Sequence, residues 1–145
     1  IQSSQRQREH SVKIKLNALK ASVEGKRVVL IDDSIVRGTT SAKIIQMLKD
    51  SGAKEVHMRI SAPPFKNPCY FGTDVDSREN LIACHMSVEE IRQKIGADSL
   101  DYLSIENMRK IAIGCGRGLC EGCFTGVYPI EVPEEVHKDQ FERGR

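Results

Sequence analysis

Val12, Leu16, Leu19 and Val23 recur at spacings of four, three and four. They form one apolar stripe of a helix over residues 8–23, with Lys13, Lys15 and Lys20 among the polar positions. Gly25 and Lys26 end it. Residues 28–31 are an unbroken apolar run, mostly β-branched, followed by Asp32 and Asp33. This pattern predicts a strand covered on both faces, as in a parallel α/β sheet. Residues 34–40 are too polar and glycine-punctuated to continue it. Thr39 or Thr40 is placed to cap a helix to about Asp50, with Ile44, Met47 and Leu48 toward the sheet and Ser51-Gly52 as its stop. Val56, Met58 and Ile60 then alternate with polar residues, predicting a second strand. Strand, loop, helix and strand in this order make a βαβ unit with a right-handed crossover.

Pro63, Pro64 and Pro68 break the pattern, so residues 61–80 read as mostly loop. Leu81-Ile82-Ala83 suggests one more short strand. Ser87-Val88-Glu89-Glu90 is a capping box that opens a helix ending near Gly96. Residues 100–103 suit a short strand or turn, and Ser104 opens a helix carrying Ile105, Met108, Ile111 and Ala112. Beyond Gly114 the chain becomes a loop rich in glycine and cysteine. The tail after Pro133 is charged and expected to fray.

The 145 residues suffice for one domain with a hydrophobic core, and the apolar (39%) and charged (29%) fractions are those of a globular chain. A net charge of +2 gives no reason to expect a nucleic-acid partner, although it allows a local cradle for a small anion. No apolar run approaches the ~20 residues of a membrane-spanning helix. The polar opening has no signal-peptide pattern, and Ile1 in place of methionine suggests a cut or processed product. Five cysteines cannot all pair internally, and three of them, Cys115, Cys120 and Cys123, fall within nine residues. A reducing, cytoplasmic setting with metal-bound thiolates fits this better than secretion.

The densest chemistry lies in Asp32-Asp33-Ser34-Ile35-Val36-Arg37-Gly38-Thr39-Thr40-Ser41. Two carboxylates stand where a parallel strand ends, the place where open α/β sheets hold ligands. Behind them, Gly38 permits a tight turn, and Thr39, Thr40 and Ser41 bring hydroxyls to a helix N-terminus, where amides and the helix dipole favour phosphate. Carboxylates beside a phosphate suit ribose hydroxyls or hydrated Mg²⁺. The plainer alternative is that strand ends often carry acids and helix starts often carry threonine. No Gly-Lys-Ser/Thr follows a glycine-rich run, which argues against a Walker-type ATPase loop.

The whole string resembles the phosphoribosyl pyrophosphate signature of type I phosphoribosyltransferases, and its Asp-Asp-Ser-Ile-Val-Arg-Gly-Thr-Thr form resembles the amidophosphoribosyltransferases in particular. The resemblance implies that Asp32 and Asp33 face the ribose hydroxyls and Mg²⁺, with Ser34 assisting on the metal side. It also implies that Arg37, Gly38, Thr39, Thr40 and Ser41 wrap the 5′-phosphate.

Cys120-Glu121-Gly122-Cys123 is a CxxC pair, open to reading as a redox disulfide, two ordinary thiols or, with Cys115, a zinc knuckle. Residues 118–129, Gly-Leu-Cys-Glu-Gly-Cys-Phe-Thr-Gly-Val-Tyr-Pro, resemble the C-terminal motif of the iron–sulfur class of amidophosphoribosyltransferases. Residues 68–74, Pro-Cys-Tyr-Phe-Gly-Thr-Asp, resemble the stretch that supplies another ligand. This resemblance implies Cys69, Cys120 and Cys123 as three ligands of a structural [4Fe–4S] cluster, with the fourth upstream. Cys84 and Cys115 have no role in that pattern, and Cys84 reads as a small buried hydrophobe. His10, His57, His85 and His137 form no ligand spacing, and Tyr70-Phe71 reads as packing.

The resemblance runs from Ile1 to Pro129. It implies an α/β fold, the C-terminal part of a type I phosphoribosyltransferase parallel sheet (residues 1–103), followed by a helix and cysteine loop (104–133) and a charged tail (134–145). It further implies that a glutaminase domain, the pyrophosphate loop and the closing loop lie upstream, that the parent is a homo-oligomer, and that this chain alone is inactive. The parent would make phosphoribosylamine, glutamate and pyrophosphate from glutamine, phosphoribosyl pyrophosphate and water, the first step of purine synthesis. Three rivals remain at this point: a salvage or pyrimidine phosphoribosyltransferase, a non-catalytic regulator on the same fold, and a zinc-bound structural module.

Overall fold

The computed structural model describes residues 20–73, 75, 77–113 and 118–132. Helix α1 (Lys20–Val23) is the described end of the first predicted helix, and it buries Val23. The remainder of residues 8–23 lies outside the described residues, as do His10, Cys115, His137 and the charged tail.

Three strands, β1 (Arg27–Asp32), β2 (Glu55–Ile60) and β3 (Ser99–Tyr102), form a parallel sheet in the order β1-β2-β3. Arg27 pairs with Glu55 and Asp32 with Ile60, while His57 pairs with Ser99 and Ile60 with Tyr102. The crossovers carry α2 (Thr39–Asp50) and α3 (Val88–Ile95). Strand order never reverses, so the right-handed crossover rule puts both helices on one face. That face holds the core. Val56, Met58, Ile60 and Leu100 meet Ile45, Leu48, Ile91 and Ile95 there.

The other face is open in the described chain. Val29 and Ile31 are 63% and 73% exposed, which corrects the expectation that β1 is covered on both sides. The β-branched run identified a strand, but the second layer must come from residues other than these. Beside the apolar strip the open face is polar and largely paired. His57 bridges Glu55 (2.9 Å) and Ser99 (2.9 Å), and Arg59 reaches Ser99 and Asp101. His57 lies opposite Val56 and Met58, as its alternation implied.

Helix α2 differs from expectation in two ways. Its N-cap is Gly38, not a threonine, and its buried residues are Ser41, Ile45 and Leu48. Ile44 and Met47 are only partly buried, because the stripe is rotated by one position. The capping box opening α3 is formed: Glu90 N donates to Ser87 Oγ at 3.3 Å, and Ser87 N donates to Glu90 Oε2 at 2.7 Å. Gly96 closes α3 at φ 76°. Ile82–Cys84 is a 3₁₀ turn instead of the suggested strand. Ser104 caps α4 (Ile105–Ile111) by accepting from Asn107 N at 3.1 Å. That helix buries none of its residues, and Ile111 is 73% exposed. A last short helix, α5 (Gly122–Thr125), forms within the cysteine loop.

Candidate functional site

The acid pair stands at the C-terminal end of β1, in the centre of a tied backbone. Asp32 Oδ1 accepts from the Asp33 amide (3.0 Å), and its carbonyl accepts from the amide (2.9 Å) and hydroxyl (3.2 Å) of Ser61, just past β2. Ser34 Oγ donates to Asp33 Oδ1 at 3.2 Å. Ile35 then turns into the core, 2% exposed, and Val36 O accepts from Ile82 N at 2.9 Å. The loop is therefore anchored on both flanks while the carboxylates stay at the surface.

Gly38 makes the turn into α2 at φ 78°, a conformation that strains any residue with a Cβ. It is also packed: a Cβ there would stand 3.1 Å from Ile82 Cδ1 and 3.4 Å from Ile95 Cγ2. Among the described residues no side chain caps this helix start, and its first turn holds no acid, so its amides and dipole suit an anion. Thr39 and Thr40 are exposed at this end and Arg37 is exposed before it. Ser41 differs, being 3% exposed. The structure thus brings Asp32, Asp33, Ser34, Arg37, Gly38, Thr39 and Thr40 to one strand–loop–helix corner, with Ser41 beneath them.

A second corner gathers the cysteines. Cys69 and Cys123 pack with Cys84 and Phe124 against the small core of Phe65, Val75 and Leu81. Lys66 N and Asn67 N both donate to Cys123 O at 3.0 Å, which joins the segment before Cys69 to the CxxC turn through the backbone. Burial pushes the Cys69 thiol up. The Phe71, Thr73 and Gly72 amides and the Thr73 hydroxyl outweigh this and leave it below the usual thiol range. Cys123 is pushed up to about 11, first by burial and then by the nearby thiol of Cys69 and, more weakly, that of Cys120. Cys69 and Cys120 thus both bear on the Cys123 thiol, although no group of three His, Cys, Asp or Glu among the described residues is spaced to hold a single metal ion. Cys84 is half-buried and donates to Lys66 O at 3.1 Å, so the small-hydrophobe reading holds only in part.

Sequence reasoning missed what holds this corner. The Arg109 guanidinium forks onto the Glu121 carboxylate, with Nε 2.6 Å from Oε1, and ties α4 to the CxxC turn. Tyr128 donates to Pro68 O at 2.8 Å and packs edge-on against Tyr70. Gly122 was the available signal, since a Cβ there would clash with Cδ1 and Cε1 of Tyr128. Tyr70 and Phe71 pack, as expected. An open hollow of about 350 Å³ lies beside Cys120, lined by Arg109, Glu121 and Tyr128.

A parallel β-sheet flanked by helices is the fold of the type I phosphoribosyltransferases, and the solved structures that this chain matches share it. No family model matches the sequence. The chain is 53% identical to the amidophosphoribosyltransferase of Bacillus subtilis (strain 168), with 94% of this chain covering 29% of that one. It is 56% identical to the amidophosphoribosyltransferase of Archaeoglobus fulgidus, with 88% covering 28%. The solved glutamine phosphoribosylpyrophosphate amidotransferase of B. subtilis, complexed with ADP and GMP, superposes at a TM-score of 0.74 and 46% identity, over 94% of this chain and 31% of that one. The chain is a member of the type I phosphoribosyltransferase family, related to the amidophosphoribosyltransferases. It spans under a third of the length of these relatives. Among the described residues no helix is long and apolar enough to cross a membrane.

Proposed function

We propose that this chain is the C-terminal, phosphoribosyl pyrophosphate-binding part of a cytoplasmic, glutamine-dependent amidophosphoribosyltransferase of the iron–sulfur class. The observation that carries the reading is the corner at the end of β1, where Asp32 and Asp33 stand beside an uncapped helix start entered through Gly38. Arg37, Thr39, Thr40 and the first-turn amides hold the 5′-phosphate, with Ser41 supporting them from below. Asp32 and Asp33 hold the ribose hydroxyls, and Ser34 fixes Asp33. Paired carboxylate oxygens at the surface fit a hard cation, and Mg²⁺ bound there with the substrate supplies neutralising charge. Ammonia released from glutamine elsewhere in the parent attacks ribose C1 as pyrophosphate leaves, giving phosphoribosylamine. This chain contributes position and charge, with no protein nucleophile at the ribose.

Cys69, Cys120 and Cys123 serve as three ligands of a [4Fe–4S] cluster. The amides around Cys69 favour its thiolate, the form that binds iron. In a cluster each sulfur binds a separate iron atom, so the thiols need not crowd around one ion as zinc would require. The bound cluster supplies a cross-link between the two cysteine segments. The rest of the substrate cage, the glutaminase domain and the partner subunits of a homo-oligomer belong to the parent.

The test is a chimera. This chain replaces the corresponding stretch of the B. subtilis relative, and phosphoribosylamine formation from glutamine and phosphoribosyl pyrophosphate is measured. Retained activity that disappears in the Asp32→Asn, Asp33→Asn double variant supports the reading. A folded, cluster-loaded chimera with no activity overturns it.

A further inference from the structure

The geometry points to Tyr128 as the positioning residue that sets the Cys69 loop against the Cys120–Cys123 turn, a role that rests on reading these cysteines as cluster ligands. One side chain touches both segments. Its ring lies on Gly122, inside the CxxC, where a Cβ would clash with Cδ1 and Cε1 of the ring. Its hydroxyl donates to Pro68 O at 2.8 Å, the carbonyl immediately before Cys69. Its edges meet Tyr70 at 5.1 Å and Phe71 at 6.1 Å between ring centroids, the two residues immediately after Cys69. The Cys69 loop is thus held on both sides of its sulfur, against a turn that is shaped by glycine to receive the ring.

The remaining ties do not depend on Tyr128. Lys66 and Asn67 amides hold Cys123 O, Phe65 stacks on Phe124 at 5.1 Å, and Arg109 holds Glu121. Removing the Tyr128 ring therefore leaves the corner folded and loosens the approach of Cys69 to its partners. Gly122 and Tyr128 act as one unit. Gly122→Ala displaces the ring in the native background and has nothing left to displace once residue 128 is alanine.

The experiment uses the whole chain without metal, treated with dibromobimane, a short dithiol reagent that fluoresces once both ends have reacted. Peptide mapping then quantifies cross-links between Cys69 and either Cys120 or Cys123. Far-UV circular dichroism and melting temperature monitor the fold, and iron and sulfide are counted after anaerobic purification. Tyr128→Ala and Gly122→Ala each lower the cross-link yield by about tenfold, the combined weight of one hydrogen bond and the aromatic pairs. Tyr128→Phe keeps the ring and stays within about threefold of the native yield. Gly122→Ala added to Tyr128→Ala lowers it no further. A native-like yield in Tyr128→Ala, or additive losses in the double variant, overturns the positioning role. If Tyr128→Ala unfolds, the decision passes to Tyr128→Phe: a yield equal to that of the unfolded chain overturns the ring-based role, and a yield near native sustains it. Tyr128-dependent cross-linking without iron or sulfide uptake would sustain the positioning role and show that three thiols alone do not assemble the cluster.

Discussion

Gly38 carries two constraints at one residue. At φ 78° its backbone resists any Cβ, and Ile82 and Ile95 fill the space where one would go. Gly38→Ala is therefore expected to cost about 1–3 kcal/mol in urea unfolding and to weaken phosphate binding at the start of α2. An unchanged unfolding midpoint would contradict this. Tyr102 is the opposite kind of case. Its hydroxyl is buried with no hydrogen-bond partner among the described residues, and burial pushes the phenol up to about 12. Tyr102→Phe removes an unsatisfied group while keeping the ring, so it should leave stability unchanged or raise it by about 1 kcal/mol. A clear drop in melting temperature would mean that the hydroxyl has a partner. The glycine at 38 was legible in the sequence, since a turn into a helix after two acids calls for one. The orphaned hydroxyl was not, because no local pattern reveals what surrounds a side chain drawn from a distant strand.

Elements with strong local rules matched their expected bounds. Strand β2 runs Glu55–Ile60 and α3 begins at its Ser87 capping box. Elements shaped by tertiary contact departed from theirs. The Leu81-Ile82-Ala83 run had the residues of a strand, but Ile82–Cys84 forms a 3₁₀ turn under the loop that leads into α2, buried at Leu81 and Ile82. Short α5 has no helical periodicity to announce it. At this scale Asp98 fastens the entry of β3 to β2. Its Oδ2 accepts from Val56 N at 2.7 Å, and Lys49 stands 3.3 Å away. The Val56 amide, ahead of Lys49, holds the Asp98 carboxyl below its ordinary value of 3.8 despite some burial. A depressed folded value means stability that is complete above the ordinary value and lost as pH falls through the lower folded one. Asp98→Asn should therefore melt lower at neutral pH, and the difference from native should shrink as pH falls below about 4. A difference constant down to pH 2 would contradict the assignment.

The described residues present a parallel sheet with one finished and one unfinished face. The helices cover Val56, Met58 and Leu100, while Val29 and Ile31 stand exposed beside a paired polar ladder. An apolar strip of this kind calls for a cover. The isolated chain is expected to self-associate with rising concentration in sedimentation velocity, and Val29→Thr with Ile31→Thr to reduce that association. Concentration-independent sedimentation of the native chain would show the strip to be harmless. The fold class was readable in advance because its strands and helices follow local patterns of apolar and polar residues. The open face was not, because what covers a sheet is a property of the whole assembly. The central claim is that the corner at the end of β1 binds a ribose phosphate. Calorimetric titration of the chain with phosphoribosyl pyrophosphate and Mg²⁺ tests it most directly. Saturable, Mg²⁺-dependent binding that is lost in the Asp32→Asn, Asp33→Asn variant and in Gly38→Ala is expected. Equal heats for native and variant chains, or none from the native chain, would contradict it.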